Sequence, residues 1–346
     1  MAWGVWMGLL RLGWALPLPW PDQLILHGPL MVGGFLGTLI GLERAVGIAR
    51  PWAYAAPLLT ASGSLLLVFG PPGPFGPLLI TAGSAVVVAV FLVILWREPS
   101  LFALTMALGA VAWIVGNAQW LAGATIYRVV FWWVAFLVLT IAGERLELNR
   151  LLRPSRRVRF AFMIAIGVSL AGISLMTRWP EAGVRLTGIG LVALSVWLAM
   201  FDIARRTVRQ PGVTRFMAIC LLSGYVWLGV GGLAAIATGA ALPGLLYDAV
   251  LHTIFLGFVV AMIFGHAPIV FPSILGRPLP FRPTFYIHLA ILHGSVAMRL
   301  FGDLVDELGQ WRSWGGLLNA VAIALFVGNS VWSIVSGPLI ERRRPV

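Results

Sequence analysis

Lysine is absent from this chain, and cysteine occurs once, at Cys220. A single cysteine excludes an internal disulfide framework. Charge is scarce too: 10% of residues are charged against 60% hydrophobic, and the mean hydropathy is +0.95. That leaves too little polar surface to clothe a water-soluble domain. No run shows the alternating pattern of a barrel strand. What is present is a series of apolar runs of about twenty residues, the length that crosses hydrocarbon as helix. The expectation is an all-α polytopic transmembrane helical bundle, one integral membrane domain over residues 1–346.

All 24 positive charges are arginine, and the net charge is +12. The arginines fall between the apolar runs, so they read as markers of membrane orientation and not as a nucleic-acid surface. After an N-terminal run over 3–20, helices are expected near 24–42, 52–69, 75–96, 101–122, 127–142, 160–176, 184–201, 215–238, 245–274, 284–301 and 314–339. That makes about twelve transmembrane helices. The first run ends in LPLPWPDQ without a small-residue cleavage pattern and reads as a retained helix. The tenth carries Pro268 and Pro272, where a tilt or break is expected. Arg44, Arg50, Arg97, the 145–159 cluster, Arg205, Arg206, Arg209, Arg277, Arg282 and Arg342 to Arg344 alternate with arginine-poor loops, where Asp303, Asp306 and Glu307 offset Arg299 and Arg312. By the positive-inside rule both termini are cytoplasmic, in a bacterial inner membrane. Tryptophans such as Trp20, Trp52 and Trp96 fall at the expected interfaces.

Function is sought among the five histidines, because ionisable groups within a bilayer are expensive. His252 and His266 are fourteen residues apart in the tenth helix, close to four turns, and are expected on one face. His27 and His252 both lie early in helices entering from the outer side, so they share a depth. Two neutral imidazoles on facing helices are what axial ligation of a haem iron requires. The bland alternative, open for each histidine, is a hydrogen bond to a neighbouring carbonyl or Asn. His266, His288 and His293 are further metal candidates, with copper acceptable to imidazole. Gly34 and Thr38 follow His27 at helical spacing, as a small-residue face for a flat macrocycle or for close helix packing. Glu43 with Arg44 reads as a local ion pair or lipid contact. Asp248, four residues before His252, reads either as a partner of that histidine or as a helix N-terminal acid.

The segments HGPLMVGGFLGTLIGLERAVG (27–47) and HTIFLGFVVAMIFGHAPIVFPSILGR (252–277) resemble the NnrS family of haem- and copper-containing membrane proteins. More distantly they are similar to the subunit I-like group of haem-copper oxidases. The resemblance implies haem b between the second and tenth helices with His27 and His252 as axial ligands. It also implies a redox or diatomic-gas role tied to nitric oxide, and a redox partner or small gas ligand. No adjacent His–His pair and no helix with a histidine and tyrosine set occurs, so terminal oxygen reduction is not expected. Two other classes compete: a secondary transporter with proton-relay histidines, and a non-catalytic subunit of a larger membrane complex.

Overall fold

The computed structural model describes residues 1–17, 21–305 and 309–336. Trp20, Asp306, Glu307 and Arg342 to Arg344 lie outside them. Among the described residues the fold is helical throughout. A ten-residue helix, α1 (Ala2–Arg11), comes first. Eleven helices long and apolar enough to cross a membrane follow. These are α2 (Gln23–Ile48), α3 (Pro51–Phe69), α4 (Phe75–Arg97), α5 (Leu101–Leu121), α6 (Ile126–Leu148), α7 (Arg156–Leu175), α8 (Pro180–Phe201), α9 (Gly212–Thr238), α10 (Leu245–Leu275), α11 (Phe285–Leu304) and α12 (Gly309–Ser336). The chain is an integral membrane protein.

The N-terminal run does not make the further crossing expected of it. Gly13, at φ +87°, follows the end of α1. Ten residues rise only about 15 Å, half the hydrocarbon thickness. The helix instead bridges one end of the bundle. Trp3 Nε1 donates to Gln23 Oε1 (2.9 Å) at the start of α2, and Ser313 Oγ donates to the Leu12 carbonyl (2.8 Å) at the start of α12.

Short loops join antiparallel neighbours, and the caps are where the sequence supplies them. Ser100 and Ser155 accept from the backbone N–H groups of Ala103 and Val158 to open α5 and α7. Gly276, at φ +64°, closes α10 in the left-handed region. The loops after α2, α4, α6, α8 and α10 share one end with Ser336. This arginine-rich end carries Arg50, Arg97, Arg153, Arg205, Arg277 and Arg282.

α6 is the most buried crossing and the hub of the larger core cluster. A second cluster, built on Phe216, Phe264, Phe285 and Phe326, knits α9 to α12. Between helices the approach is close enough to exclude a side chain at Gly188, where an added Cβ would lie 2.6 Å from the Gly232 carbonyl oxygen. Small residues provide this packing in a bilayer, where no hydrophobic drive separates helix from lipid.

Two helices contain π segments. Residues Leu30–Gly37 of α2 and Thr253–Val260 of α10 are π-helix. Each begins within three residues of a histidine, His27 or His252. Pro268 and Pro272, where a break was expected, lie inside helix that continues to Leu275. A π turn takes up more residues than an α turn, so faces extrapolated at 100° per residue drift out of register across it.

Candidate metal centre

α2 and α10 bring His27 and His252 together at the end opposite the arginine-rich one. Their ring centroids are 6.2 Å apart and the ring planes differ by 24°. A metal–imidazole bond of about 2.0 Å, with ring nitrogens about 1.1 Å from the centroid for bonds near 1.33 Å, would put the centroids of two imidazoles on opposite sides of one ion roughly 6.2 Å apart. The observed separation has that length, with the ring planes in a stacked relation.

The ring tautomers follow from the acceptors beside them. His27 Nδ1 lies 2.7 Å from the Gly4 carbonyl oxygen, which only accepts, so Nδ1 carries the proton. His252 Nδ1 lies 3.0 Å from the Asp248 carbonyl oxygen and 3.1 Å from Asp248 Oδ1, with the same result. Both Nε2 atoms then present lone pairs, and neither has a hydrogen-bond partner among the described residues. Metal-ligating histidines are oriented in this way, by a carbonyl or carboxylate on the other nitrogen. The packing around His27 is tight: a Cβ added at Gly8 would stand 2.8 Å from His27 Cε1.

The pair opens onto a cavity of about 260 Å³. Its walls are apolar, including Phe35, Phe255 and Ile323, and α1 contributes Val5, Leu9 and Leu12 as a roof. Its polar end is formed by Arg11, Asp248, Arg299 and Arg312. Arg299 Nη2 reaches Asp248 Oδ2 at 2.7 Å, and Arg312 Nε is 2.8 Å from Asp303 Oδ1. Three guanidinium groups against two carboxylates leave this end positive. Asn319 Oδ1 accepts from Ser295 Oγ (2.6 Å), while its Nδ2, on the cavity side, is buried without a partner. Two neutral nitrogen donors, apolar walls and a cationic rim fit a flat apolar metal macrocycle bearing carboxylates.

The remaining histidines are held apart. His252 lines the larger cavity and His266 a smaller one of about 80 Å³. The His266 Nδ1–H donates to the Met262 carbonyl (2.7 Å), and Arg145 Nη1 donates to its Nε2 (3.5 Å). His288 is fully buried, with Asn329 Nδ2 at 3.3 Å and the rings of Phe264, Phe285 and Phe326 around it. His293 Nδ1 accepts from Trp227 Nε1 at 3.0 Å. No group of three or more His, Cys, Asp or Glu gathers into a metal-holding set among the described residues. His266, His288 and His293 each contact a different neighbour, and the Nε2 atoms of His288 and His293 are buried without a partner among the described residues.

Gly34 and Thr38 are also placed otherwise. A Cβ on Gly34 would meet Ser64 Oγ at 2.6 Å, and Thr38 Oγ1 lies 2.8 Å from Thr60 Oγ1, so this face packs on α3. Met31, Phe35 and Leu39 line the cavity instead. The π segment has rotated the expected small-residue face away from it. Asp248 does reach His252, as one of the two readings held. Sequence reasoning missed α1 as a wall and Arg299 with Arg312 as the rim. The signal for the latter was two arginines flanking a loop at the arginine-poor end.

No curated protein and no solved structure matches the chain. A family model described as "Domain of unknown function (DUF8744)" matches residues 1–335, and the chain belongs to that family.

Proposed function

We propose that the chain is an NnrS-like membrane haem protein, holding haem b between α2 and α10 through His27 and His252. The observation that carries this reading is the imidazole pair, 6.2 Å apart with each Nδ1 anchored and each Nε2 free. Gly4 and Asp248 fix the tautomers, and the apolar walls exclude water. Arg11, Arg299 and Arg312 offer cations to carboxylates at the rim. When bound, the group supplies one-electron chemistry. Were both His27 and His252 to hold the group, electron transfer with a redox partner would be favoured over gas binding. A role in nitric oxide handling rests on the family resemblance. The arginine-rich end is assigned to the cytoplasm of a bacterial inner membrane on the positive-inside rule, which puts the haem site in the outer leaflet.

The test is a visible spectrum of the purified protein, oxidised and reduced, from haem-replete cells. A Soret band retained in His266→Ala and His288→Ala but lost in His27→Ala and His252→Ala is expected. A wild-type protein without the band sinks the proposal.

A further inference from the structure

The arginine-rich end holds a second group of ionisable side chains inside the bundle, unrelated to the histidine pair. Glu43 and Arg44 come from α2, Glu144 and Arg145 from α6, Asp202 from the end of α8, and His266 from α10. Arg44 Nη2 is bonded to Glu144 Oε1 and lies 3.5 Å from Glu43 Oε1. Arg145 is committed elsewhere: its Nε and Nη2 donate to the two Asp202 oxygens at 2.8 and 3.2 Å. Tyr225 of α9 places a fully buried hydroxyl beside that pair. Glu147, Arg150 and Glu98 pair with one another at the surface.

We propose that Glu43 and Glu144, walled by His266, form a proton-binding site that loads from the arginine-rich face. Three observations carry it. Three carboxylates face two guanidinium groups, which leaves one negative charge uncompensated; a proton is the smallest ion that removes it. A cavity of about 80 Å³ lies between Glu43, Glu144 and His266, so the three side chains share one space. Arg44, the residue that pairs with both Glu43 and Glu144, keeps its Nε buried without a partner, an unmet donor within the same cluster. His266 closes the site as a neutral wall: Met262 holds its Nδ1–H and Arg145 Nη1 faces its Nε2, so the proton goes to a carboxylate.

The site also has a direction. Its cavity shares Leu36, Leu39, Ile263 and Phe271 with the larger one that runs to His27 and His252. One apolar partition thus separates the loading site from the space beneath the histidine pair. In the loading step an O–H bond of hydronium breaks as one forms on a Glu43 or Glu144 oxygen, a neutral water is released, and no electron moves.

The experiment is an infrared pH titration of the full chain in lipid nanodiscs. Its carboxyl signal is independent of haem content, so failure here is distinguishable from a missing Soret band. The wild type is expected to show a carboxylic acid C=O band at neutral pH that shifts in deuterium oxide. Glu43→Gln and Glu144→Gln remove it, whereas Glu98→Gln at the surface leaves it. Should Glu144→Gln fail to fold, Glu43→Gln carries the test, its contact with Arg44 being the longer one. A wild-type protein with no such band at neutral pH overturns the proposal, as does a band that survives Glu43→Gln.

Discussion

Gly8 and Asp248 show how much of the placing of the two histidine rings is done by their neighbours. Gly8 is small because the His27 ring occupies the space its Cβ would need, 2.8 Å from Cε1. Gly8→Ala is therefore expected to push His27 off the Gly4 carbonyl. Asp248→Asn keeps the size of the side chain but removes the carboxylate beside His252 Nδ1 and opposite Arg299. Each substitution is expected to weaken haem affinity by roughly 10–100-fold, the usual cost of losing such a support. Haem titration into the apoprotein measures it. His27 and His252 were legible from sequence, because scarcity within apolar runs singles them out and the loops fix their depth. The Gly4 contact was not: nothing in the local pattern says that α1 returns to the start of α2.

At the scale of elements, α1 and the two π segments make the difference between a bundle and a site. Removing residues 2–11 is expected to abolish the Soret band while α2 to α12 remain inserted, since no crossing depends on α1. Circular dichroism of the truncated protein alongside its visible spectrum checks both halves. The ion pairs divide by burial. Arg145 and Asp202 are 3% and 0% exposed at their side chains, so Asp202→Asn leaves a buried guanidinium without its partner and is expected to cost about 3–5 kcal/mol. Arg150 and Glu98 are 54% and 55% exposed, and Glu98→Gln is expected to cost less than about 1 kcal/mol. Reversible unfolding in detergent compares the two. Helix existence was readable because a run of about twenty apolar residues has one way to cross a bilayer. Helix faces were readable only as far as the geometry stayed α. Gly34, Thr38 and His266 all lie at or beyond the start of a π segment, and Gly34 with Thr38 takes the close-packing reading, against α3.

For the whole molecule, the alternation of arginine-rich and arginine-poor loops agrees with the helix order, and the same alternation separates two polar sites at opposite ends. One holds the histidine pair under a cationic rim, the other the carboxylate cluster. Cys220 is buried, which makes the natural chain a near cysteine-free background for mapping sides. Ser155→Cys is expected to label from the cytoplasm and Gly123→Cys only from outside, as read with a membrane-impermeant maleimide. The central claim is that one iron is shared by two imidazoles from α2 and α10. Electron paramagnetic resonance of the oxidised protein, grown with nitrogen-15 histidine, tests it most directly. The account predicts a low-spin ferric signal coupled to two histidine nitrogens. Its shape should be rhombic, as imidazole planes 24° apart require, and it should collapse in either histidine variant. A high-spin signal, or coupling to one histidine alone, would contradict it.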